Sequence, residues 1–86
     1  MMVPSIHLNG TSKQELLEQQ LVVMRALRDA IIALRAAAPH GRDYYPQGAG
    51  TIDRALEEHS RRLDKLHAIH AEIGGLALAI TEGGHS

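Results

Sequence analysis

The sequence predicts an all-α fold, an antiparallel hairpin of two long helices that assembles into an oligomeric helical bundle. Three observations point there. The 86 residues are 44% apolar yet include no Phe, Trp or Cys, while 12 Ala and 11 Leu supply strong helix formers in place of the β-branched and aromatic residues that strands favour. Two segments carry apolar residues at alternating steps of three and four, the period of a helix face. A short stretch rich in proline and glycine divides them.

Residues 1–11 read as an N-terminal arm, with Ile6 and Leu8 flanking His7 and a turn signal at Asn9-Gly10. The first helix is expected over residues 12–38. Either Thr11 with Gln14 or Ser12 with Glu15 can form a capping box at its start. Its seam reads Leu16, Gln20, Val23, Leu27, Ala30, Leu34 and Ala37. Pro39 forces the stop, because it disfavours helical backbone in the residue before it and donates no hydrogen bond.

Residues 39–50 form the connecting loop, in which no regular structure is evident. The second helix is expected over residues 51–81, with Thr51 as N-cap and Asp53 complementing the dipole in the first turn. Its seam runs Ile52, Leu56, His59, Leu63, Leu66, His70, Ile73, Ala77 and Ile80. Gly74 and Gly75 interrupt good helix formers; they imply either a kink or early end, or a place where another backbone comes close. The tail, residues 82–86, is expected to fray.

Such a hairpin is about 40 to 45 Å long and encloses no interior. Val22, Ala26, Ile32, Ala33 and Ala36 widen the apolar surface of the first helix beyond its seam. Self-association is therefore expected to bury it.

Charge and composition exclude several function classes. A net charge of −1 provides no general field for nucleic-acid phosphates, and the absence of cysteine removes disulfides and thiolate zinc sites. The longest apolar runs are far below a membrane span, and the first residues lack the pattern of a signal peptide, so a cytoplasmic location and no membrane partner are expected. Nucleophile, zinc-protease and phosphate-loop motifs are missing, which argues against an enzyme. His67 and His70 sit three apart near Glu72, but helix one offers no matching Glu-x-x-His, so neither metal nor other cofactor is expected. His59 and His70 read better as polar residues that set the register of a bundle. Arg25, Arg28 and Arg35 read as solvated or interhelical charges.

The loop is the segment with chemistry. It is longer than most helix-to-helix connections and holds both tyrosines, Tyr44 and Tyr45, with His40, Arg42, Asp43 and Gln47 around them. Aromatic faces stack on bases, guanidinium groups clamp phosphate, and helix N-termini attract anions. One reading makes this a nucleotide-sized site. The other has the tyrosines closing the end of the bundle core, with Arg42 paired to Asp43. In a hairpin the arm and the loop lie at opposite ends, so a site built from both needs Asn9, Gly10 and Thr11 of a second subunit beside Arg42, Tyr44 and Tyr45 of the first.

The Ile-His-Leu-Asn-Gly-Thr-Ser run at residues 6–12, the Ala-Ala-Pro-His-Gly-Arg-Asp-Tyr-Tyr-Pro-Gln-Gly stretch at 37–48 and the Glu-His-x-x-Arg-Leu run at 58–63 resemble small helical-hairpin proteins encoded by tailed bacteriophages and prophages. In size and architecture alone the chain is also similar to phage immune-signal sponges. That resemblance implies a small homo-oligomer that binds a nucleotide-type messenger of bacterial defence without cleaving it. The alternative is a structural or interaction module, such as a virion-assembly adaptor or an inhibitor of a host protein.

Overall fold

The structure, a computed structural model, describes residues 1–83; of the tail expected over 82–86, residues 84–86 lie outside the described residues. Two helices, α1 (Lys13–Ala36) and α2 (Thr51–Thr81), pack against each other, and two short 3-10 turns, Gly41–Asp43 and Tyr45–Gln47, occupy the connection. Among the described residues there is no strand.

Ser12, not Thr11, caps α1: its hydroxyl accepts from the Glu15 amide at 3.1 Å, satisfying one of the amides that the first turn leaves unpaired. At the far end the Ala37 amide bonds back to Ala33 and Leu34. The helix thus closes before the position that Pro39 alone would allow.

At α2 the capping expectation is corrected. Gly50, not Thr51, is the N-cap; it takes the left-handed region at φ 82°, open to glycine without steric cost. Thr51 already lies inside the helix, and its hydroxyl donates to the Gly48 carbonyl at 3.0 Å. The loop is corrected too. Asp43, Tyr44, Gln47 and Gly48 each donate a backbone bond three residues back, giving the connection its own tight turns.

The seam of α2 lies where the periodicity puts it, with His59, Ala77 and Ile80 buried, except that Ala55 is more covered than Leu56, which is 42% exposed. The seam of α1 is rotated from the expected one. Leu16, Gln20, Leu27 and Leu34 face α2, but Met24 and Ile31 join them in place of Val23 and Ala30, and Ala37 is exposed. From Gln20 a step of four reaches Met24 as readily as a step of three reaches Val23. The larger side chains fill more of the interface, and burial scales with apolar area.

Gly74 and Gly75 do not end α2, which continues to Thr81. Their neighbours are side chains. A Cβ at Gly74 would stand 3.4 Å from Met24 Cε, and one at Gly75 would stand 3.5 Å from Met1 Cε. The arm therefore folds back onto the distal half of α2, where Pro4 and Ile6 are half-buried.

Two cross-helix contacts fix the register, Met24 against Gly74 and Arg35 Nη2 to His67 Nε2 at 3.3 Å. They set α1 beside the second half of α2. Residues 51–64 consequently run about 20 Å past the end of α1, with the second 3-10 turn packed on them. This stagger stretches the molecule to 62 × 19 × 17 Å, longer than a flush hairpin.

Candidate functional site

The loop residues separate into inward and outward sets. His40 shapes the first turn: its Nδ1 accepts from the Arg42 amide at 3.1 Å, leaving the guanidinium and the Asp43 carboxylate in solvent. Arg42 and Asp43 form no ion pair; among the described residues the ion pair is Arg62 with Glu58, at 3.5 Å. The neighbouring tyrosines diverge. Tyr44 is half-buried, whereas Tyr45 is 78% exposed, because consecutive residues of a 3-10 segment point about a third of a turn apart.

Tyr44 and Gln47 form one wall of a cleft of about 280 Å³, and Thr51, Arg54, Ala55 and Glu58 form the other. The second wall comes from positions i, i+3, i+4 and i+7 of the first two turns of α2, one helix face. That spacing could have identified Thr51, Arg54 and Glu58 from the sequence once the loop was read as a site. The cleft sits at the amino end of the helix, where unpaired amides give a partial positive charge. Glu58 is drawn toward Arg62, so Arg54 is the cation that faces the cleft without an opposing partner among the described residues. An aromatic ring, a guanidinium, an amide side chain, a hydroxyl and the Glu58 carboxylate thus line a single concavity. Within it Tyr44 can stack on a planar group and Arg54 can pair a negatively charged one.

The arm residues are elsewhere. Asn9 and Gly10 form a turn closed by the Gly10 amide on the His7 carbonyl at 3.1 Å, and Thr11 leads into α1. The His7 ring lies over Gly10: a Cβ there would come within 2.7 Å of His7 Nε2, so the exposed ring would have to swing aside. Asn9, Gly10 and Thr11 precede α1 and His40 to Gln47 follow it, so about 36 Å of helix separates them within one chain. A wider groove of about 550 Å³ opens at this end, between the first turns of α1 and Thr81.

The histidines of α2 do not converge. His67 is exposed and accepts from Arg35, since a guanidinium can only donate. His70 turns into the seam, where its Nε2 has no partner, as has Nε2 of His59. Among the described residues, no cluster of three or more His, Asp or Glu is placed to hold a metal ion. No helix among them is long and apolar enough to cross a membrane.

No protein-family model, curated protein or solved structure matches this chain.

Proposed function

We propose that the chain is a non-catalytic binding protein that sequesters an anionic, ring-bearing ligand of nucleotide type, acting as a homo-oligomer in the cytoplasm of a bacterium in the manner of phage-encoded sponges. The observation that carries this reading is the cleft at the start of α2. Tyr44 offers a stacking face, Arg54 a phosphate fork, and Gln47 an amide able to read a base edge. Asn9, Gly10 and Thr11 complete the pocket from a second copy, whose arm reaches the loop when two hairpins lie antiparallel. Arg42 and Tyr45, which face solvent in one chain, close over the ligand from the rim.

Calorimetric titration with cyclic dinucleotides, cyclic trinucleotides and cyclic ADP-ribose isomers tests the proposal. Stacking on an aromatic side chain contributes about 1 to 3 kcal/mol, so Tyr44→Ala should weaken binding roughly 5- to 150-fold. Tyr45→Ala should have a smaller effect, because its ring is not part of the cleft wall. Absence of binding by all of these ligands, or equal affinity in Tyr44→Ala, refutes it.

The second reading, a structural or interaction module, is favoured by a different observation. Val22, Ile32 and Leu78 are each close to 60% exposed, an apolar surface suited to a protein partner.

A further inference from the structure

We infer that a second copy of this chain docks, antiparallel, on the face of the hairpin opposite the Arg35–His67 contact, and that it forms the outer wall beside the cleft. The inference deepens the ligand-binding reading by naming the partner that reading requires, yet it rests on surface and charge alone.

The rotated seam leaves α1 with two apolar faces. One, built of Leu, Met and Ile, meets α2. The other runs Val23, Ala26, Ala30, Ala33 and Ala37 at steps of three and four, all exposed and uninterrupted by charge. On a helical wheel this second stripe lies about half a turn from Arg35. The matching side of α2, about half a turn from His67, carries Ile69, which is 46% exposed, flanked by Leu66, Ile73 and Leu76, half-buried at the edge of the seam. The exposed stripe of α1 and this edge of α2 lie on the same side of the hairpin. Toward the start of α2 the same row passes through Arg62 and Glu58 to Ala55, so the cleft opens at the edge of that face.

The area argument identifies the occupant. A compact monomer of 9.4 kDa exposes about 5,000 Å², but this chain exposes 6302 Å². Its radius of gyration is 18.8 Å, against about 12 Å for a compact chain of this length. Among the described residues the buried apolar ones are Ile31, Ala77 and Ile80, and of these Ile80 alone is fully buried, a small core for two long helices. The excess surface exceeds the roughly 800 Å² per partner that a stable interface removes, so one further copy is enough.

Charge selects the orientation. The first half of α1 carries Lys13, Glu15 and Glu18, a net charge of −1, and the second carries Arg25, Arg28, Asp29 and Arg35, a net charge of +2. Antiparallel packing of α1 on α1 sets each acidic half beside a basic half and opposes the helix dipoles, whereas parallel packing pairs like with like. Alanine along the stripe lets the two backbones approach closely.

Sedimentation equilibrium of the ligand-free chain at 50 µM separates this inference from the ligand reading. The expected mass is twice 9.4 kDa, falling twofold in Ala30→Glu with helical circular dichroism retained, and staying at the dimer value in Ile32→Glu on the other flank. As a second measurement, Ala30→Cys near the centre of the stripe should form an intermolecular disulfide on oxidation, while Gln19→Cys near its end should not. A folded wild-type monomer, dissociation by Ile32→Glu but not by Ala30→Glu, or equal cross-linking through Gln19→Cys would each overturn the inference.

Discussion

Replacing His59 with leucine should stabilise the protein. The imidazole is 7% exposed and lies in the seam of α2, and its Nε2 is buried without a hydrogen-bond partner. A buried polar atom left unpaired carries a desolvation penalty of about 1 to 3 kcal/mol, whereas an apolar side chain of similar size at the same place carries none. Leucine also suits the helix better by a few tenths of a kcal/mol. We take about 1 kcal/mol as the net gain, allowing for imperfect repacking of a branched side chain in a space shaped by a flat ring. For a domain of this size that corresponds to a rise in Tm of about 4 to 8 °C. The assay is thermal unfolding followed by circular dichroism at 222 nm, at matched protein concentrations, because association contributes to Tm. His59→Ala provides the contrast: it removes the same nitrogen but leaves a cavity, and should lower Tm. A fall in the leucine variant comparable to that in the alanine variant would refute the reasoning. It would show that the imidazole makes a bond worth more than the penalty assigned to Nε2.

Two glycines of the fold should respond in opposite directions to alanine. Gly74→Ala adds a Cβ at ordinary contact distance, 3.4 Å from a mobile Met24 terminus, and removes a helix-interior glycine, so stability should rise by about 0.5 to 1 kcal/mol in urea unfolding; a loss would show that the Met24 contact cannot yield. Gly50→Ala meets open space, but at φ 82° the backbone itself is the obstacle, so stability should fall by about 1 kcal/mol in the same assay, and no change would mean that the cap relaxes to another conformation.

How much of this could be read from the sequence differs from element to element. Both helices and the seam of α2 were legible, because the charged residues of α2 leave one apolar row and Pro39 punctuates the chain. The facing of α1 was not. Its apolar residues occupy more than half the wheel, and steps of three and four are satisfied equally by Val23 and Ala30 or by Met24 and Ile31. Only the fit against α2 decides between them, and periodicity holds no information about volume. The 3-10 turns of the loop were hidden for a related reason: they arise from local three-residue bonds that any sequence with the right backbone angles can make. Among the site residues, Tyr44 and Gln47 line the cleft beside Arg54, which sequence reasoning missed, while Asn9, Gly10 and Thr11 remain a helix length away.

The stagger between the helices has a consequence for how the protein opens. Residues 51–64 of α2 have the loop, and not α1, alongside them, so their backbone hydrogen bonds are guarded by fewer apolar contacts than those of the distal half, where α1 and the arm both cover the helix. Local opening costs least where such cover is thinnest, and amide exchange is therefore fastest at the end that bears the cleft. A molecule seated between Tyr44 and Arg54 touches the loop and the helix at once and fastens the two together. Its binding energy then includes the work of quieting that end, and exchange protection spreading from the cleft along the first turns of α2 becomes a direct gauge of occupancy.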